Sequence, residues 1–332
     1  MDYKKPQSTI VQGDVGIYPL TTADQVILAD GSRLEKDGKI SADSASDSSK
    51  LGGKAPEYYV QQIHRLDNSD FTNPVNQRGI TSADVSAWTY FIDRWKVEDD
   101  TLTISVETDG IHLTASSRAW FAQWIQMSDN DVGKTFTLAY GLSDGSIIMA
   151  SGTMPDASEW SEFITGANDA AQIRSACFEN RKITVGINPK SNLVIKWAAL
   201  YEGSYTAETL PPYVPKGYAQ ELAECQRYYY KMKSHWKWVS AGICETSTKA
   251  FIPIVLPREM RIVPTVSITN PSLIKVKCGS IGTQIPSNIN WSYGILDARI
   301  MQMAATVTGA TNGDVAFLYF DDGGEITFSA DL

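Results

Sequence analysis

The chain is short of the residues that bind metals or cross-link a fold. Its 332 residues include only four cysteines and three histidines. Cys177, Cys225, Cys244 and Cys278 lie 48, 19 and 34 residues apart, so neither CxxC nor any other metal-knuckle spacing exists. Buried free thiols are the expectation. His64, His112 and His235 are too dispersed for HExxH or a helical ligand pair, which excludes a zinc hydrolase. No P-loop and no GxGxxG occurs. No run approaches the ~18 uninterrupted apolar residues of a membrane-spanning helix. The opening MDYKKPQST has no apolar leader core. A soluble protein made in a cytoplasm follows as the expectation. Charged residues reach only 20%, too few for a coiled coil, and the net charge of −9 disfavours a nucleic-acid or anionic-membrane surface.

Aromatic residues are abundant, with nine tryptophans and fifteen tyrosines, and 43% of the chain is hydrophobic. Charge is distributed unevenly along it. Residues 1–65 carry 8 positive and 9 negative groups, residues 66–216 carry 11 and 19, and residues 217–332 carry 10 and 10. The acidity belongs to the middle third, which suggests three units with different surfaces.

The first unit, residues 1–65, is poor in core-building runs. Residues 13–17 and 25–28 read as short strands closed by the turn pair Asp30-Gly31. Residues 41–50, SADSASDSSK, hold five serines and no large apolar side chain. They form a linker or are ordered by neighbouring chains. Pro56 opens PEYYVQQIHRL, where Tyr59, Ile63 and Leu66 share a helical face. So short a helix is marginal alone, and packing against copies of itself would stabilise it.

From about Leu66 the pattern turns to period-two alternation. Leu102/Ile104/Val106, Phe136/Leu138/Tyr140, Ile183/Val185/Ile187 and Leu193/Ile195/Trp197 each point to one side of a strand. Asp109-Gly110, Asp144-Gly145 and Asn188-Pro189 supply turns between them. The segment WFAQWIQM, residues 120–127, fits a helix or a strand through Trp120 and Trp124, and its neighbours favour strand. This is an antiparallel sandwich over residues 66–215, ended by Pro211, Pro212 and Pro215. A short helix follows, with Tyr218, Leu222, Cys225 and Tyr229 on one face. Alternation then resumes in Val266/Ile268, Ile274/Val276/Cys278, Phe317/Tyr319 and Ile326/Phe328. Residues 216–332 therefore read as the helix plus a second small sandwich.

Most motif matches dissolve in context. Gly141-Leu142-Ser143-Asp144-Gly145 spells GxSxG, but both flanks read as strands, so it is a hairpin turn and not a nucleophile elbow. Asp129-Asn130-Asp131 with Gly133 is a fragment of a calcium loop without its terminal Glu, and a solvated loop is expected. The pairs Asp99-Asp100 and Asp321-Asp322 alternate across a strand and make no ready acid–base pair. Trp236 and Trp238 share strand parity beside Lys233 and Lys237, and Trp291 and Tyr293 share it after IPSNIN. Aromatic faces beside amides and carboxylates suit sugar rings. Core packing is the competing reading for every aromatic.

Several segments together resemble phage tail-fibre and receptor-binding proteins. They are LDNSDFTNPVNQRG at 66–79 with Tyr90-Phe91-Ile92-Asp93-Arg94-Trp95, and residues 195–230 with Leu200-Tyr201-Glu202-Gly203-Ser204 and Pro211-Pro212-Tyr213. Ser49-Lys50-Leu51-Gly52-Gly53 with Tyr58-Tyr59 is similar to a motif of fibre shafts, and Phe251-Ile252-Pro253 with Pro264-Thr265-Val266 to the start of a fibre-tip sandwich. The resemblance implies an elongated homotrimer, mainly β, whose N-terminal attachment and shaft region meets the tail or baseplate. The middle sandwich is similar to carbohydrate-binding modules, and a structural calcium ion goes with that shape, though no residue here places it. The C-terminal head would bind a bacterial surface polysaccharide or teichoic acid, without enzymatic activity, cofactor, nucleic acid or membrane insertion. Its place would be the tail of a virion or of a tail-like particle. A polysaccharide depolymerase and a structural fibre or adaptor without its own receptor site are the rival readings. Within the head, the expected glycan contacts are Trp236, Trp238, Trp291 and Tyr293, with Asp321 and Asp322 accepting hydroxyls.

Overall fold

The computed structural model describes residues 26–27, 33–34, 64–115, 118–157, 159–178, 181–234, 237–293 and 299–331. The chain is mainly β, and Tyr218–Cys225 is the one α-helix among the described residues. None of them forms a helix long and apolar enough to cross a membrane. Two compact units are present, residues 1–62 with 208–212 and residues 63–207 with 213–332. In the first, Val26–Ile27 pairs antiparallel with Arg33–Leu34 across the segment that carries Asp30-Gly31. The serine-rich linker and residues 56–63 of the expected helix lie outside the described residues. Leu66 is not helical: Arg65 donates its amide to the Leu200 carbonyl, and Leu66 enters a core.

The second unit holds two hydrophobic cores. Around the first, two six-stranded antiparallel sheets face each other. One runs Ile147–Thr153, Thr135–Leu142, Leu193–Glu202, Gly110–Ala115, Leu102–Glu107, Ser82–Val85. The other runs Ser161–Ala167, Ala171–Phe178, Lys182–Pro189, Trp120–Gln126, Trp95–Glu98, Tyr90–Ile92. Phe136, Leu138, Tyr140, Ile183, Val185 and Ile187 all point into this core, as their alternation predicts. The GxSxG match is the hairpin between two of these strands. One triplet fails. A bulge between Ile195 and Trp197 reverses parity, so Trp197 leaves the core, lies over Gly141 and stacks on Tyr213 at 4.9 Å. Gly141 has to be glycine here, since a Cβ would meet the Trp197 ring at 2.1 Å.

The second core lies between a three-stranded sheet and a seven-stranded sheet. The smaller is Tyr229–Ser234, Gly324–Ser329, Thr265–Ile268. The larger runs Gly282–Gln284, Ile274–Cys278, Val315–Phe320, Lys237–Thr246, Lys249–Val255, Ile300–Thr306, Asn288–Tyr293. Phe317 and Tyr319 face outward, and Ala316, Leu318 and Phe320 fill the core instead. Both parities of VAFLYF are apolar, so alternation alone cannot say which is inside. All four cysteines are buried and free.

The helix is shorter than its sequence pattern. It ends at Cys225, and Tyr229 begins a strand. Its buried positions are Glu221 and Cys225, whereas Tyr218 is exposed. Glu221 is drawn in because its carboxylate accepts the Asn68 amide at 2.6 Å. Lys216 bridges Asp67 and Glu224 beside it. These contacts form part of a polar junction between the two cores. Arg78 pairs with Asp331 at 2.6 Å and with Asp93 at 3.6 Å, under the Tyr229 ring. Gln77 donates to the Tyr229 carbonyl.

Burial pushes the Asp93 carboxyl up to about 6 and the Glu221 carboxyl up to about 7. Each therefore binds its proton more readily folded than unfolded. The stability linked to them is complete below their ordinary pKa values and is lost as pH rises through 6 and 7. Glu221→Gln, which keeps a neutral acceptor, is expected to melt near the parent at pH 5 and above it at pH 8. Thermal unfolding at the two pH values checks this, and an equal difference at both would contradict it.

Candidate functional site

The outer face of the second six-stranded sheet, turned away from its core, carries a tryptophan-walled cleft. On strand Trp120–Gln126, Phe121 and Ile125 enter the core, so Trp120, Ala122 and Trp124 face out. Cross-strand register places Gly186 opposite Ala122, and Thr184 opposite Trp124. Arg174 lies opposite Gly186, and Ala176 opposite Thr184. On the other side Lys96 lies opposite Ala122, and Glu98 opposite Trp120. The middle of this face is thus floored by Ala122, Gly186 and Ala176, and longer side chains rise around that floor.

Two walls come from outside the sheet. Trp88 sits in the turn before strand Tyr90–Ile92 with φ +64, a conformation that bulky residues avoid. Its amide donates to the Val97 carbonyl at 2.7 Å, which holds the turn against strand Trp95–Glu98. The ring is 60% exposed and meets Trp124 edge to face at 6.2 Å. Trp160, 50% exposed, stacks on Phe178 at 6.1 Å just before strand Ser161–Ala167. The cleft between them measures about 520 Å³, and Glu98, Asp99, Arg118, Glu162 and Arg174 share its lining.

Cations and rings alternate here. The Lys96 Nζ lies 3.2 Å above Trp124, and Arg174 spans Trp120 at 4.1 Å and Trp160 at 5.1 Å. Burial brings the Lys96 ammonium down to about 8. Glu98 holds these groups in place. Its carboxylate accepts from Arg174 at 3.0 Å, from the Thr184 hydroxyl at 3.2 Å and from the Trp124 indole N–H. With its oxygens so occupied it is an anchor for the walls. Chemically, the arrangement offers exposed ring faces with charged hydrogen-bonding groups between them, which is what an apolar sugar face and its hydroxyls require.

The residues singled out from the sequence do not come together. Trp238 is 53% exposed on the outer face of the seven-stranded sheet, against Phe317 at 5.4 Å and Tyr319 at 5.1 Å. Trp291 pairs with the buried Met303, turns inward and packs edge-on against Phe328 at 5.9 Å. It is half-buried against the second core, on the opposite face from Trp238. Trp236 lies outside the described residues, as does the Tyr293 side chain, whose backbone ends strand Asn288–Tyr293. Asp321 is half-buried and ion-paired to Lys275, and Asp322 is exposed on the adjoining turn. The calcium-loop fragment is a 3-10 turn at Asp129–Asp131, with Asp131 buried, accepting from Ser128 and paired with Arg65 and Lys134. Two clusters with metal-binding spacing occur among the described residues, Asp67 with Glu221 and Glu224, and Glu107 with Asp109 and His112. In one, Lys216 already pairs with Asp67 and Glu224. In the other, His112 is held by Asp109 at 2.7 Å on an exposed hairpin.

Sequence reasoning passed over Trp88, Trp160, Arg174 and Glu98. The outward parity of Trp120 and Trp124 was the one local signal pointing toward the cleft. No family model, curated protein or solved structure matches the chain, so the chemistry of the cleft is argued from its own geometry.

Removing the Glu98 anchor takes from the buried Arg174 its shortest and only buried ion pair among the described residues, leaving Asp99 and Glu162 at 3.9 and 4.0 Å. Glu98→Ala is expected to cost about 3–5 kcal/mol, whereas Trp160→Ala, at an exposed ring, is expected to melt within about 1 kcal/mol of the parent. Chemical denaturation of both variants checks the contrast.

Proposed function

We propose that this chain is a receptor-binding tail-fibre protein. It attaches a phage or phage-tail-like particle to a bacterial surface glycan, such as a capsular polysaccharide or teichoic acid. The binding is non-covalent and multivalent. The observation that carries this reading is the cleft walled by Trp88, Trp124 and Trp160, with charged groups set between exposed rings. The first core with its two sheets then acts as the carbohydrate-binding sandwich, and residues 216–332 as the head. Residues 1–65 meet the tail or baseplate. Each cleft binds weakly, and several copies on one particle multiply the affinity.

A depolymerase would need two free carboxylates flanking a scissile bond. Glu98 is committed to Arg174, Thr184 and Trp124, and the other two carboxylates of the lining, Asp99 and Glu162, each lie within 4.0 Å of Arg174, which favours binding over cleavage. Adsorption to host cells tests the reading. Trp88→Ala and Trp160→Ala are expected to fold normally and to lose at least tenfold in adsorption, more where several heads engage. Normal adsorption by both, together with loss in Trp238→Ala, would move the receptor site to the head.

The homotrimer belongs to the same proposal. The outer face of the seven-stranded sheet exposes Trp238, Ile243, Val255, Val315 and Phe317, an apolar band of the kind that other copies cover. Light scattering is expected to give about three times the 36.5 kDa chain mass, and Val315→Glu with Phe317→Glu to lower it. A parent that stays monomeric at micromolar concentration would contradict the assembly.

A further inference from the structure

Beyond Arg174 the cleft continues into a second hollow of about 360 Å³, which shares Arg118, Glu162 and Arg174 with the first and adds Trp120, Thr165 and Gln172. Two donors there have no acceptor. The Trp120 indole is only 4% exposed, and its Nε1–H is buried without a hydrogen-bond partner. Arg174 spends Nη2 on Glu98, and its Nε–H is likewise buried and unpaired. A buried N–H left without an acceptor carries its full desolvation penalty, so such groups signal a missing partner. Arg118 adds an exposed guanidinium, which has no ion-pair partner among the described residues.

The charges around this hollow are close to balanced, and Arg118 is the exposed cation among them. Its lining has Arg118 and Arg174 against Glu162. Glu98 and Asp99 belong to the lining of the neighbouring hollow. Of these, Glu98 is saturated by its three donors, and Asp99 and Glu162 are 40% exposed, at 3.9 and 4.0 Å from Arg174. The unpaired groups in the second hollow are donors, and a neutral sugar hydroxyl satisfies them less well than a carboxylate does.

Resting on the glycan-binding reading, we propose that the hollow beside Trp120 is an acidic-sugar subsite. A uronic-acid carboxylate of the bound polysaccharide accepts from the exposed Arg118 and, as the walls of the hollow part to uncover them, from the buried Trp120 and Arg174 N–H groups. The adjacent sugar lies against Trp160. The two hollows are contiguous, so the cleft takes at least two successive residues of a chain, with the acidic one at the Trp120 end.

Binding of the full chain to polygalacturonate, alginate and hyaluronan is compared with binding to the same polymers after carboxyl reduction, by affinity electrophoresis. The parent is expected to prefer at least one acidic polymer over its reduced form by about tenfold, the worth of one charge-assisted hydrogen bond, with the preference shrinking as salt is added. Trp120→Phe keeps a ring and removes the N–H. That variant and Arg118→Ala are each expected to cut the preference severalfold. Trp160→Ala is expected to weaken acidic and reduced polymers alike. Because the readout is a ratio, a general loss of stability in Trp120→Phe does not imitate the effect. Equal binding of acidic and reduced forms, an undiminished preference in Trp120→Phe, or no binding to any of the three acidic polymers would overturn the subsite. The glycan-binding reading fails separately, if Trp88→Ala and Trp160→Ala leave cell adsorption unchanged.

Discussion

Arg94 ties together the two cores of the second unit. It occupies the two-residue turn between strands Tyr90–Ile92 and Trp95–Glu98, in a left-handed conformation with φ +72. Its side chain is buried, pairs with Asp67 at 3.1 Å and donates to the Trp124 carbonyl at 2.8 Å. Its guanidinium lies 3.5 Å over the Tyr228 ring, at the start of the second core's strands. One cation thus fastens the segment around Asp67, the strand that carries the cleft's Trp124 and the segment leading into the second core. The nearby Asp67 holds the Arg94 charge firmly in place, and Arg94 with Lys216 draws the Asp67 carboxyl below its usual range. A buried pair of this kind is a weak source of net stability and a strong source of register, because few other arrangements satisfy both partners. The junction around it combines ion pairs with the Tyr228 and Tyr229 rings, so directional contacts fix how the two cores meet.

The cleft depends on that register. Its floor is small because Ala122 and Gly186 stand opposite each other and Ala176 lies diagonally next to Gly186 on the adjoining strand. A slip of one residue would bring core side chains to the outer face and send the tryptophans inward. A Cβ on Gly186 would already crowd Ala122 at 3.3 Å and Trp120 at 3.4 Å. The dip exists so that Arg174 and Glu98 can reach across it. Their ion pair keeps Trp120 and Trp124 upright on either side.

Much of the fold was legible because strand alternation is local. The triplets at 136–140 and 183–187 point into the core as their spacing requires. What was hidden is equally physical. Period two separates two faces but does not name the inner one, and in VAFLYF both faces are apolar. Phe317 and Tyr319 consequently stand outside while Ala316 and Leu318 are buried. A bulge inverts parity without any local mark, as at Ile195–Trp197. The buried face of the helix is set by Glu221 meeting Asn68, 153 residues away in sequence. The cleft is the extreme case. Trp88, Glu98, Trp124, Trp160 and Arg174 come from five separate segments, spread over residues 88–174. The exposed Trp238 was recognisable as an aromatic beside lysines, whereas the inward turn of Trp291 follows only from its pairing with Met303.

The crowding of indoles has an optical consequence. Trp88 and Trp124 lie 6.2 Å apart, and Trp124 lies 4.9 Å from Phe178, which stacks against Trp160. At such separations the excited states of the two nearest indoles are coupled, and excitation passes among the rest of the cluster. The ammonium of Lys96 against Trp124 and the guanidinium of Arg174 against Trp120 and Trp160 shift the electronic levels of the rings they touch. Four of the chain's nine tryptophans, Trp88, Trp120, Trp124 and Trp160, therefore report on one cleft. The molecule carries, in its own ring stack, a built-in gauge of whether water or something drier lies between Trp88 and Trp160.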